Sequence, residues 1–95
     1  MEGIKEEGVK FPVYRRSMNG RHWYRIEGRG SFTEVQRIGK RVMVHHVLAK
    51  AYPEMVMIQE LLEGAGGRYV PCGEMEFLSV MQEHGGPGQG RPGAG

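Results

Sequence analysis

Two runs of aromatic and β-branched residues interleaved with arginines, Phe11–Met18 and Arg21–Glu27, flank Asn19-Gly20. This pattern predicts a β-hairpin, because Asn-Gly suits a type I′ turn with positive φ at both central residues. A two-residue loop sets Met18 opposite Arg21, Arg16 opposite Trp23, Tyr14 opposite Arg25 and Val13 opposite Ile26. Successive side chains then alternate between faces. Phe11, Val13, Arg15, Tyr24 and Ile26 share one face, expected to be core with Arg15 near its rim. Tyr14, Arg16, Trp23, Arg25 and Glu27 share the other, expected to be open.

After a Gly28-Arg29-Gly30 turn, Ser31–Ile38 supports two readings. Ser31-Phe32-Thr33-Glu34 fits a capping box and Gly39 a helix C-cap. Phe32, Thr33, Val35 and Ile38 favour a strand, and the valine-rich run Arg41–Tyr52 can pair back through Gly39-Lys40. The second hairpin is the working expectation. Pro53 and Glu54 open a helix with Met55, Ile58, Leu61 and Leu62 as its apolar stripe, stopped by Gly64-Ala65-Gly66-Gly67. Arg68–Cys72 predicts a short strand, and Gly73–His84 a second helix with Phe77, Leu78 and Met81 inward. The order ββββαβα predicts an α+β fold: two hairpins plus a fifth strand in an antiparallel sheet, covered on one face by two helices.

The chain of 95 residues is one small domain, with residues 10–84 as the folded unit. Residues 1–9 read as a flexible arm, and the Gly/Pro-rich 85–95 as a disordered tail. The acidic N-terminus has no apolar signal segment, no run is long enough to span a bilayer, and the lone cysteine fits a reducing cytoplasm. Aspartate is absent, which removes the EF-hand loop, the Ser-His-Asp triad and the kinase aspartate pair. The composition points to a binding protein rather than an enzyme, and no cofactor is implied.

The stretch from Phe11 to Leu62 carries Phe11-Pro12-Val13-Tyr14-Arg15-Arg16, Asn19-Gly20, Tyr24-Arg25-Ile26, Phe32-Thr33-Glu34-Val35-Gln36, Gly39, Ala49-Lys50 and Pro53-Glu54. In these residues it resembles a family of small uncharacterised bacterial proteins. The resemblance implies a short, cytoplasmic, stand-alone protein and supplies no activity or site residues.

The net charge of +2 hides a division. Ten cations against Glu27 and Glu34 give residues 10–50 a charge of +8, whereas residues 51–95 total −4. Such asymmetry points to an anionic partner. Single-stranded nucleic acid is held by cations along its phosphates and by aromatic rings on which bases stack. Tyr14 and Trp23 are the candidate stacking residues. Arg16, Arg25, Arg21, Arg29, Lys40 and Arg41 are the candidate phosphate contacts. The competing reading is Arg–aromatic stacking that stabilises the sheet itself, or a basic half facing an acidic neighbour. The methionine-bearing helices offer a second function, a protein-interaction or homodimerisation surface.

Other motifs carry less. His45 and His46 are adjacent on a strand and point apart, so they cannot easily share a metal ion. Cys72 precedes a helix, but Glu74 and Glu76 oppose a thiolate there. The glycine-rich stretches lack the P-loop lysine and read as turns.

Overall fold

A computed structural model describes residues 9–84. The expected arm, apart from Val9, and the expected tail lie outside the described residues. Five strands form one antiparallel sheet: β1 (Val13–Ser17), β2 (His22–Gly28), β3 (Ser31–Ile38), β4 (Arg41–Leu48) and β5 (Tyr69–Pro71). Their spatial order is β4-β3-β2-β1-β5. Helix α1 (Tyr52–Glu63) follows β4, and α2 (Glu74–His84) follows β5. The α+β class and the order ββββαβα are as the sequence predicts. Ser31–Ile38 is a strand, paired with β4 through a two-residue Gly39-Lys40 loop that needs positive φ at Gly39 alone.

The first hairpin keeps its predicted register with a different loop. Val13 faces Ile26, Tyr14 faces Arg25 and Arg16 faces Trp23. However, the tight turn closes from the Gly20 N–H to the Ser17 carbonyl at 3.0 Å, and Gly20, not Asn19, has positive φ. Side chains explain this choice. Asn19 Oδ1 accepts from the Arg21 amide at 2.9 Å and from the Ser17 hydroxyl at 2.7 Å. Ser17 Oγ in turn accepts from the His22 amide at 3.1 Å. Asparagine thus bonds backbone two residues ahead, as it commonly does in turns. Widening the loop symmetrically leaves the register unchanged.

The helices do not share a face. On one side, α1 lays Ile58 and Leu61 over Tyr24, Ile26 and Phe32. On the other, α2 lays Phe77 and Val80 over Trp23, Val35 and Val42. The expectation of two helices on one face is therefore corrected to one helix on each. The reason lies in the central strands. Trp23 and Tyr24 are neighbours on β2, and Phe32 and Val35 differ by an odd number on β3, so both faces carry large apolar groups. Burying each such side chain stabilises by about 1.5–3 kcal/mol, and an uncovered face would forfeit that gain. Short β5 pairs with β1 at the sheet edge, which lets the chain pass from α1's face to α2's.

Each helix turns slightly from its expected stripe. Met55 is exposed in α1, while Met57 and Leu62 pack beside Ile58 and Leu61. Leu78 is exposed in α2, and Val80 takes the buried position. Arg15 also has a structural task on α1's side. Its Nε donates to the Leu61 carbonyl at 2.9 Å, and Nη2 donates to the Leu62 carbonyl at 3.3 Å. A cation at these last-turn carbonyls also complements the negative end of the helix dipole.

Candidate nucleic-acid interface

The eight candidate residues divide into three groups. Tyr14, Arg16, Trp23 and Arg25 do share one face, as the register requires. That face lies beneath α2. Trp23 is only 4% exposed, and its Nε1 donates to Glu76 Oε2 at 2.9 Å. The Tyr14 ring meets Phe77 at a centroid distance of 5.5 Å. Arg25 sits over the same Phe77 ring at 5.3 Å, and its Nε donates to Glu27 Oε2 at 3.3 Å. Arg16 Nε stands 3.3 Å from Glu76 Oε2, within ion-pair distance but without hydrogen-bond alignment.

The open stacking platform expected at Tyr14 and Trp23 is thus corrected to an internal layer between sheet and helix. Phe77, at 0% exposure, is the side chain that closes it. Part of the charge asymmetry resolves the same way, at Arg16 and Arg37. Acidic α2 supplies Glu76 to Arg16 and Trp23, and Glu83 to Arg37 through Nη2 at 2.7 and 2.8 Å. Arg37 also lies 5.2 Å over the Trp23 ring. The acidic neighbour of the basic half is this chain's own second helix.

Arg29 stands apart, at the β2–β3 turn, where its Nη1 donates to Gln59 Oε1 at 3.2 Å. A second polar network occupies that end. Glu27 is the extra residue of a bulge between Ile26 and Gly28, so its carboxylate reaches Ser31 and buried Thr33, both of which donate to it. Partial burial works to raise the Glu27 pKa. Hydrogen bonds from Thr33, Ser31 and Arg25 outweigh it and hold the carboxyl below its ordinary range. Because the Thr33 proton goes to Glu27, His46 Nδ1, 3.0 Å from Thr33 Oγ1, is the donor in that contact.

Arg21, Lys40 and Arg41 form the third group, and all three are exposed. The β1–β2 and β3–β4 loops emerge at the same end of the sheet, tied by an Arg37 N–H to Arg21 carbonyl hydrogen bond of 2.8 Å. A cleft of about 540 Å³ opens between them, lined by Asn19, Arg21, His22, Gln36, Arg37 and the turn at Ile38-Gly39. Among its lining residues only Arg21 is singled out by the sequence. Arg37 and Gln36 were legible in principle. Once β3 is a strand, the pairing of His22 with Gln36 brings them beside the Asn19-Gly20 loop.

Among the described residues, no group of three or more histidine, cysteine, aspartate or glutamate side chains could hold a metal ion. His45 lies opposite Glu34 and His46 opposite Thr33, on different faces. Cys72 packs against the α2 core. Burial and then Glu76 push its thiol pKa up, against the smaller pull of Arg16 and Arg15. No described helix is long and apolar enough to cross a membrane. No protein-family model, curated protein or solved structure matches the chain.

Proposed function

We propose that this chain is a small cytoplasmic protein that binds single-stranded nucleic acid, RNA foremost, through the loop end of its sheet and without catalysis. The observation that carries this reading is the cleft between the β1–β2 and β3–β4 loops, where exposed Arg21 stands with Asn19 and Gln36, and Arg37, held by Glu83, forms part of the wall. Exposed Lys40 and Arg41 stand beside it. Arginine's planar fork suits phosphate oxygens bidentately. Phosphate neutralisation makes affinity fall as salt rises. Titration of a short single-stranded RNA at two salt concentrations tests the proposal. Steeply salt-dependent binding that weakens in Arg21→Ala/Lys40→Ala/Arg41→Ala supports it. No binding at low salt overturns it.

A second reading has its own observation. β4 is an edge strand of eight residues, with no proline or bulge inside it, and it exposes Met43 and Leu48. Long unprotected edges are templates for pairing with another chain. Antiparallel pairing of β4 with β4 of a second copy is self-complementary about a two-fold axis. A mass in solution that doubles with concentration supports this homodimer, and a monomeric mass throughout excludes it.

A further inference from the structure

The loop-end cleft continues onto the α1 side of the sheet. A second cleft there, also of about 540 Å³, shares Asn19 and His22 with the first. Its lining is different in kind. Met18 and Met57 bring polarisable thioethers and half-buried Tyr69 an aromatic ring, set edge to face at 5.5 Å on Tyr24, which is itself buried at 3% exposure. His22 lies parallel to Tyr24, at 6.2 Å and 9° between planes. The volume is that of a pocket for a small organic ligand, and the walls are mostly apolar.

The few polar groups are held in fixed orientations. Glu34 Oε2 meets His22 Nδ1 at 2.6 Å, and both side chains are largely buried. With Nδ1 committed to the carboxylate, Nε2 is the ring nitrogen left for other partners. Burial, then the Glu34 charge, then Tyr69 push the Tyr24 hydroxyl pKa far up, so the phenol stays neutral. Arg68 stands at the mouth with its guanidinium 5.7 Å over the Tyr69 ring.

We infer that the two joined clefts take one nucleotide of a single strand: its phosphate at exposed Arg21 in the first cleft, and its base against Met18, Met57 and Tyr69 in the second. This rests on the phosphate-binding reading above and adds the base site to it. The pairing of a cationic cleft with an apolar, aromatic one matches a ligand that is anionic at one end and flat and π-faced at the other. Stacking on aromatic side chains accepts any base, because every base has a π-face. Methionine conforms to flat surfaces of varied shape. His22, common to both clefts, stands where base and phosphate join.

The test uses the full chain, a labelled RNA of about eight nucleotides, and the same strand with its bases removed, at low salt. The intact RNA is expected to bind roughly tenfold more tightly than the abasic strand. Met57→Ala is expected to erase that preference while leaving abasic binding unchanged. Met18→Ala, on an exposed loop, is expected to reduce it without affecting folding. Arg21→Ala is expected to weaken both strands equally. Equal binding of intact and abasic RNA overturns the base site and leaves the phosphate reading standing. A preference that survives both methionine variants also overturns the base site. No binding of either strand overturns both.

Discussion

Trp23 Nε1 donates to Glu76 Oε2 at 2.9 Å, and the same oxygen lies 3.3 Å from Arg16 Nε. One carboxylate on α2 therefore joins the sheet's tryptophan and one of its arginines. Glu76→Ala removes both partners and is expected to destabilise by about 1 kcal/mol, since the carboxylate is partly solvated. Glu76→Gln retains an acceptor for the indole and is expected to lose less. Phe77→Ala, at a fully buried position, is expected to cost about 3–5 kcal/mol. Denaturant unfolding measures all three, and a neutral Phe77→Ala contradicts the closed face.

Arg15 was expected at the rim of the core. Its place at the end of α1 gives a distinct prediction. Arg15→Ala leaves the Leu61 and Leu62 carbonyls without their charged donor and is expected to lose about 1.5–3 kcal/mol. Arg15→Lys, which lacks the planar fork, is expected to recover only part of the loss. Thermal unfolding of the two variants checks the order.

Glu27 makes stability depend on pH in a known direction. Its folded pKa lies below the ordinary value of 4.5, so its contribution is complete above that value and is lost as pH falls through the folded one. Glu27→Gln is expected to be less stable than the parent at pH 7, with the difference closing as pH drops below about 4.5. A stability difference independent of pH from 7 to 3 contradicts the assignment.

The fold was largely legible because local signals agreed. Asn19-Gly20, the apolar pattern after Pro53 and the acidic start of α2 each marked their element, and the register of β1 with β2 followed from centring the loop on Asn19-Gly20. The failure was one of tertiary placement. Alternation shows that Tyr14, Arg16, Trp23 and Arg25 share a face but not whether something covers it. The covering groups, Phe77 and Val80, lie more than fifty residues after Trp23. Val35 and Val42 on the same face as Trp23 were the available clue, since three large apolar groups together require cover. Likewise, an excess of arginine looks the same in sequence whether its counterion is a phosphate or Glu76 and Glu83. The loop-end cleft depends on two loops meeting in space, which follows only once β3 is a strand paired with β2.

Ala65 has a φ of 45° between Gly64 and Gly66, the only described non-glycine residue with positive φ. That backbone costs an L-residue about 1–3 kcal/mol, against a smaller entropic advantage of alanine over glycine in the unfolded chain. Ala65→Gly is therefore expected to stabilise by about 1 kcal/mol, read as a raised denaturant midpoint. A lowered midpoint contradicts the left-handed assignment.

The sole tryptophan makes the central claim directly measurable: α2 closes the Arg–aromatic face, and nucleic acid is held at the loop end instead. The experiment is a titration with single-stranded RNA at low salt, followed by Trp23 emission with acrylamide as quencher and by anisotropy of the labelled strand. The account predicts that Trp23 is shielded from acrylamide in the free protein and that its shielding does not change as the RNA binds. Binding that quenches Trp23 in proportion to occupancy, or a free protein whose Trp23 is readily quenched, would contradict it.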